Sequence, residues 1–237
     1  MPLILAVDTT ATPVSCALVR DGRVLALNFA HTGLTHSQTL MPMVENMLCM
    51  AGVSVDQVDA LAVNAGPGSF TGVRIGVSAV KGLAFAHNKP CISVSTLAAM
   101  AENIAAVPGG VICCVMDARC QQVYTALFEK NDAGDTARLS TDEAISIEEL
   151  GDRLRALNKP VLLTGDGSDI CFRQLAGSVS LLYQAPPSAR YQNAAATAVL
   201  AERLFLAGET LSAENLLPVY LRLPQAEREL RRRQEQA

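Results

Sequence analysis

The residues best suited to chemistry lie in one stretch, Ala65-Gly-Pro-Gly-Ser-Phe-Thr-Gly-Val-Arg-Ile-Gly76. It follows a short apolar run and precedes an apolar segment without a helix breaker before Asn88, so the pattern predicts a strand, a glycine turn and a long helix. Such a turn can point backbone N–H groups at a phosphate or carboxylate. It can equally be a structural elbow, which the absence of a P-loop lysine and of G-x-G-x-x-G spacing favours. The candidate phosphate-binding residues are five from this stretch, together with Asp8 and Thr10 from the loop after the first predicted strand. They are Asp8, Thr10, Gly66, Gly68, Ser69, Thr71 and Gly72.

The composition of the chain points to an extra buried surface. Of the 237 residues, 50% are hydrophobic and only 18% are charged, with a mean hydropathy of +0.25. A subunit interface would account for this excess of apolar side chains. The N-terminus lacks the basic region of a signal peptide, and the sequence predicts no membrane span, so we expect a cytoplasmic protein. The net charge of -4 does not favour direct binding to nucleic acid.

The cysteines and histidines do not predict a metal site. The seven cysteines form no C-x-x-C pair and most lie in apolar runs, which indicates buried thiols in a reducing compartment. The three histidines include no H-E-x-x-H motif. Arg231-Arg232-Arg233 lies in a tail rich in Glu, Arg and Gln, where a solvated helix is favoured.

The elements around the glycine turn repeat one order twice. Three antiparallel strands open the chain, joined by a hairpin at Asp21-Gly22, and helices then alternate with strands. Pro108-Gly109-Gly110 is the predicted boundary between an N-terminal lobe, 1–108, and a smaller C-terminal lobe, 109–237. This order predicts an α/β protein with two mixed sheets, each covered by helices on both faces. The helices are predicted at 37–51, 71–87, 95–106, 147–157, 169–176 and 193–207, and the last strand at 179–182.

Two of these helices are the predicted partner surface. About half the circumference of helix 37–51 is apolar, which is more than one packing stripe needs, and four of the seven methionines lie on it. Helix 71–87 adds a face of small residues that would let another helix approach closely. Two helices from each subunit could therefore form a four-helix bundle. The predicted partner-binding residues are Leu40, Met41, Met43, Val44, Met47, Met50, Gly72, Gly76 and Ala79.

The doubled order resembles the two-lobed actin-like fold of Hsp70-type ATPases, sugar kinases and acetate kinases. Within that fold, the stretch 65–76 followed by Lys81-Gly-Leu-Ala84 resembles the TsaB (YeaZ) family. Weaker matches in both lobes are Leu5-Ala-Val-Asp-Thr-Thr10, His36-Ser37, Asp117-Ala-Arg119, Val123-Tyr124 and Pro218-Val-Tyr-Leu-Arg222. Gln38, where family members often carry Glu, and Cys120-Gln121 depart from the pattern.

The resemblance implies a non-catalytic subunit of the complex that forms N6-threonylcarbamoyladenosine in tRNAs reading codons that begin with adenine. Such a subunit binds and supports the transferase subunit TsaD together with the ATPase TsaE, and forms a homodimer in the absence of TsaD. It would reach tRNA only through the complex and would not associate with a membrane. The resemblance implies no cofactor beyond a weak contact with ATP or ADP.

Two enzyme classes are the alternatives. A metal-dependent, glycoprotease-like peptidase would need the His-x-x-x-His pair that TsaD-like sequences carry after the fifth strand, and Thr96 and Met100 stand at the matching positions. An ATP-dependent phosphotransferase of the actin-like fold would need a glycine after Asp8-Thr9-Thr10, where Ala11-Thr12-Pro13 follows. Gly165-Asp-Gly-Ser168 could be a second phosphate turn, but its composition is that of many turns before helices.

Overall fold

The computed structural model describes residues 1–105, 107–131 and 133–222. Its first sheet contains five strands in the order β3-β2-β1-β4-β5. The antiparallel set β1, β2 and β3 continues into the parallel set β1, β4 and β5. The strands are β1 Leu3–Asp8, β2 Val14–Arg20, β3 Arg23–Ala30, β4 Ala60–Gly66 and β5 Cys91–Ser95.

Both faces of this sheet are covered by helices. Alternate side chains of β1 face opposite layers, with Leu5 packing toward α1 (His36–Ala51) and α2 (Phe70–His87). Ile4 packs toward α7 (Ala194–Leu206) on the other face. Because every residue of β1 and β4 is buried, these strands are apolar at nearly every position instead of alternating.

The second sheet repeats the arrangement. Its path is β11-β10-β6-β7-β8, and β9 also pairs with β7. Helices α4 and α5 cover one face, and α3 packs on the other face, between the two sheets. The strands are β6 Val111–Asp117, β7 Gln122–Lys130, β8 Thr136–Arg138, β9 Glu143–Ser146, β10 Val161–Thr164 and β11 Leu182–Gln184. The helices are α3 Thr96–Glu102, α4 Ile147–Leu157, α5 Ser168–Leu175 and α6 Pro187–Arg190.

These two mixed sheets confirm the predicted α/β, actin-like architecture. The division at residue 108 is wrong for the end of the chain, because α7 packs on the first sheet and not on the second. Leu211 then bridges to Cys91 on β5, and Leu216 is buried in the first core. The physical reason is that the first sheet is apolar on both faces, while α1 and α2 cover only one of them.

Two element boundaries differ from the prediction by more than two residues. The last strand begins at Leu182 instead of residue 179, because Val179 packs in the core beside α5. Helix α3 is capped by the Ser95 hydroxyl, as predicted, but ends at Glu102. Its predicted end at Ala106 and the tail with Arg231–Arg233 lie outside the described residues. Within the described part of the chain, no helix has the length and hydropathy needed to cross a bilayer.

Candidate functional site

The glycine turn packs against the loop between β1 and β2. Ser69 N donates to Thr10 O at 2.7 Å, and Thr9 Oγ1 donates to Gly72 O at 2.7 Å. A Cβ atom at Gly68 would lie 2.5 Å from Thr10 O, and one at Gly72 would overlap Thr9 O. The glycines therefore allow two backbone segments to touch, so this turn is an elbow filled by its own chain.

The carboxylate of Asp8 also points into the protein. Its Oδ1 accepts from Thr10 N at 2.8 Å and Thr10 Oγ1 at 2.7 Å, and its Oδ2 accepts from Asn64 Nδ2 at 2.7 Å. Burial raises the pKa of Asp8 above its ordinary value, and these hydrogen bonds oppose that rise. Asp8, Gly66 and Gly72 are all buried among protein atoms, and phosphate binding by these three residues stays a prediction.

A cleft of about 780 Å³ separates the lobes. Thr10, Gly68, Ser69, Thr71 and Gly72 all contribute to its first-lobe wall, and Ser69 and Thr71 are exposed there. Phosphate binding by Thr10, Gly68, Ser69 and Thr71 stays a prediction.

The second lobe supplies Asp117, Arg119 and Asp166 to this cleft. Burial, with a smaller contribution from the nearby charge of Asp117, raises the pKa of Asp166 to about 6. Arg119, Cys120 and Gln121 are three successive residues with positive φ, between 56° and 64°. This left-handed turn is where the sequence departs from the family pattern, and Arg119 N donates back to Asp117 Oδ1 at 2.7 Å.

Helix α1 presents two different apolar faces. Leu40 and Met47, each 1% exposed, and Val44 pack in the first core. The prediction that these three side chains bind a partner is therefore wrong, because they already cover the sheet. Met41 and Met50 are 40% and 78% exposed. Met43 is half-buried and packs against the core.

Helix α2 is oriented differently from the prediction. Gly76 faces the sheet, where a Cβ would lie 2.5 Å from Thr9 Oγ1, and Gly72 faces the β1–β2 loop. Neither glycine can therefore belong to an exposed small-residue face, and that prediction was wrong. Ala79 is half-buried and lines a groove beside α1. The glycine that does face open space is Gly82.

Sequence reasoning missed the C-terminal part of the outward stripe of α2, at Gly82 and Phe85. Arg74, Ser78, Gly82 and Phe85 are exposed at spacings of three or four residues, and Phe85 is 81% exposed. The polar residues Arg74 and Ser78 were the available signal, because the helical period extends their stripe to Gly82 and Phe85. We call the exposed residues Met41, Glu45, Arg74, Ser78, Gly82 and Phe85 the outer face of α1 and α2. Met50 follows Met41 by nine residues, or two and a half helical turns, so it lies on the opposite side of α1 and its contact with a partner stays a prediction.

A groove of about 490 Å³ runs between the two helices. Its walls include Met41, Ile75 and Ala79, and the Arg74 guanidinium lies 3.9 Å from the ring centroid of Phe70. Arg74 Nε donates to Tyr220 Oη at 2.7 Å. The surface is therefore apolar with one fixed cation.

Tyr220 belongs to a segment, 211–222, that we call the C-terminal strap. Lys81 Nζ donates to Glu214 O at 3.1 Å and Leu216 O at 3.2 Å, which ties the strap along α2. The Arg222 guanidinium donates to Ala118 O in the second lobe. The strap therefore connects the helix bearing the outer face with the far wall of the cleft.

The positions that match the histidine pair of TsaD-like sequences are structural here. Thr96 and Met100 are both buried, and Met100 packs in the core between the sheets. No cluster of three or more His, Cys, Asp or Glu side chains suited to a metal ion occurs in residues 1–105, 107–131 and 133–222.

Comparison with known proteins identifies the family of this chain. The family model "TsaD: tRNA N6-adenosine threonylcarbamoyltransferase" matches residues 31–229. The tRNA threonylcarbamoyladenosine biosynthesis protein TsaB of Escherichia coli is 34% identical over 220 residues, which cover 92% of this chain and 94% of that protein. The chain belongs to the TsaB family. The TsaB protein of Bacillus subtilis is 31% identical over 226 residues, which cover 94% of this chain and 96% of that protein.

A solved structure extends the TsaB likeness to three dimensions. It is described as a protein with similarity to peptidase YeaZ from Pseudomonas aeruginosa, and it superposes with a TM-score of 0.81 at 30% identity. The match covers 94% of this chain and 100% of that chain. The sequence-based recognition of the TsaB family is thereby confirmed.

Proposed function

We propose that this protein is a non-catalytic subunit of the cytoplasmic complex that forms N6-threonylcarbamoyladenosine in tRNA. It binds a TsaD-like transferase subunit through the outer face of α1 and α2, and a TsaE-like ATPase joins the pair. In the absence of the transferase the same face forms a homodimer, and tRNA is reached through the complex. The TsaB relatives are tRNA threonylcarbamoyladenosine biosynthesis proteins, which supports this pathway.

The exposed apolar side chains of the outer face carry this proposal. Met41 and Phe85 present large apolar surfaces to water, and Met41 also lines the groove between the two helices. Aromatic residues, methionine and arginine are enriched in protein interfaces, and this face combines all three with Arg74. Ser78 and Gly82 leave room for close approach of a helix.

The interior of the first lobe supports a non-catalytic role. An actin-like phosphotransferase needs its first-loop carboxylate and glycine turn to face the ligand, whereas Asp8 is hydrogen-bonded to Thr10 and Asn64. A peptidase related to TsaD needs two imidazoles where Thr96 and Met100 are packed. These contacts favour neither the phosphotransferase nor the peptidase.

The test introduces a carboxylate on the outer face. Met41→Glu and Phe85→Glu should each weaken binding of a purified TsaD-like transferase subunit by at least about thirtyfold, because burying an unpaired charge costs about 2 kcal/mol or more. Calorimetric titration measures the affinity. The matched control is Leu206→Glu, an apolar, exposed position (71%) on α7, which packs on the opposite face of the first sheet from α1 and α2.

Circular dichroism melts must accompany the titrations, because only variants that stay folded are informative. Both substituted positions are exposed, so the melting temperature should change little. Wild-type affinity in folded Met41→Glu and Phe85→Glu variants would place the transferase contact on another surface and end this proposal.

A further inference from the structure

The outer face holds a cation that is fixed in place but not neutralised. Arg74 stacks on Phe70, and its Nε donates to Tyr220 Oη at 2.7 Å. The Phe70 and Tyr220 rings are themselves stacked, with centroids 4.8 Å apart. A guanidinium has five N–H donors, and the terminal nitrogens of Arg74 make no hydrogen bond or ion pair within the described part of the chain.

The same face holds one acid without a partner. Glu45 is exposed on α1, one helical turn after Met41. Its carboxylate has no hydrogen bond or ion pair to any residue that the structure describes. The outer face therefore offers one charge of each sign, and the two are not paired with each other.

A two-fold dimer can pair these charges twice. In such an interface the same patch is used by both subunits, so that Arg74 of one meets Glu45 of the other and the reverse contact follows by symmetry. Helices α1 and α2 run in the same direction, because both lead back to the start of the parallel strands β4 and β5. A two-fold axis along the helices therefore sets α1 of one subunit over α2 of its partner.

The heights of the two charges agree with this arrangement. At a rise of 1.5 Å per residue, Arg74 lies about 6 Å from the start of α2 and Glu45 about 13 Å from the start of α1. Both starts lie at the same end, since His36 Nε2 lies 2.7 Å from Ala11 O and Ser69 N donates to Thr10 O, both in the β1–β2 loop. The difference of about 7 Å is within the combined reach of an arginine and a glutamate side chain.

We propose that, in a dimer of this chain, the Arg74 guanidinium of each subunit binds the Glu45 carboxylate of the other. The occupant of the outer face is then a second copy, recognised by charge complementarity within an apolar contact. Phe70 and Tyr220 hold the guanidinium in position before binding, which limits the side-chain entropy lost on association. The inference rests on the proposed docking face and adds the polar pair that fixes its register.

A charge swap in the full chain tests the pair by sedimentation. Arg74→Glu alone and Glu45→Arg alone each place like charges together at two symmetric sites, so each should weaken dimerisation at least about tenfold. The double variant Arg74→Glu/Glu45→Arg should recover an affinity within about threefold of the unmodified chain. The matched control is Arg74→Glu/Glu214→Arg, which changes the same charges but uses an exposed acid of the strap, and it should stay weak.

The outcomes separate this inference from the proposed function. If the Glu45 double variant is no tighter than the Glu214 control, or if the unmodified chain is monomeric at all concentrations, the Arg74–Glu45 pair is refuted. Transferase binding that is lost with Met41→Glu and Phe85→Glu would still support the docking face in that case. Melting curves that match the unmodified chain show that each charge variant is folded.

Discussion

Two positions in one helix, Gly72 and Gly82, show how differently the same residue can be used. At Gly72 the missing side chain lets the backbone of the β1–β2 loop touch the helix, whereas at Gly82 it leaves open space at the surface. The first region is closed by its own chain and the second is open to another molecule. A glycine in a helix therefore indicates that other atoms can approach the helix backbone closely. Only the orientation of the helix on the sheet shows whether those atoms belong to the same chain or to another molecule.

Helix α1 repeats this contrast with large side chains. Leu40 and Met47 complete the core, while Met41 and Met50, each a few residues away, face water. The outer face thus exists because the helices carry more apolar surface than the sheet can cover.

The largest expected effect is on the closed side. Gly72→Ala should lower the free energy of unfolding by more than about 3 kcal/mol, because the new methyl group would overlap the backbone oxygen of Thr9. Chemical denaturation measures the loss. Gly82→Ala is the matched control and should instead raise stability by about 0.5–1 kcal/mol, the usual gain from removing a helical glycine. Equal effects at the two positions would contradict the assignment of inner and outer sides.

Substitutions on the two sides of α1 should differ somewhat less in their effect on stability. Leu40→Ala or Met47→Ala should lower the free energy of unfolding by about 2–5 kcal/mol, because each leaves a cavity in the first core. Met50→Ala should change it by less than about 0.5 kcal/mol in the monomer, since the side chain is exposed. A large loss at Met50 under monomeric conditions would show that this side chain is part of the core.

The smallest expected effect concerns nucleotide at the closed turn. Millimolar ATP or ADP with Mg²⁺ should shift the melting temperature of the isolated chain by less than about 1 °C. A nucleotide bound at one hundred times its Kd would instead add about 2.7 kcal/mol to the free energy of unfolding and raise the melting temperature clearly. Thermal melts with and without nucleotide measure the shift. A large shift that Asp8→Ala abolishes would show that the first loop opens to bind phosphate.

The sequence predicted the kind and order of elements well, because strands buried on both faces and long apolar helices have strong local patterns. Helix α4 occurs at its predicted bounds. The width of the apolar surface on α1 was also visible, but its division into inner and outer residues was not. That division depends on how the helix is rotated against β2, β3 and α2, which is set by tertiary packing and not by the local sequence.

The remaining errors at the site have the same physical origin. Gly72 and Gly76 were placed on a free face because their contact, Thr9, lies more than sixty residues earlier in the chain. Phe85 was overlooked because an aromatic residue in a very apolar helix is usually core, and only the observed orientation of α2 places it in water. The closed Asp8 site likewise depends on Asn64 being brought beside Asp8 by the pairing of β1 with β4.

The docking of α7 on the first sheet has a consequence for synthesis of the chain. Ile4, Ala62 and Ile92 belong to a face whose covering helix ends at residue 206, about one hundred residues after the first lobe has left the ribosome. At roughly 5–20 residues per second, translation leaves that face bare for about 5–20 s. The N-terminal lobe of a nascent chain therefore exposes one apolar side of its sheet, and this side is covered only after α7 has been synthesised.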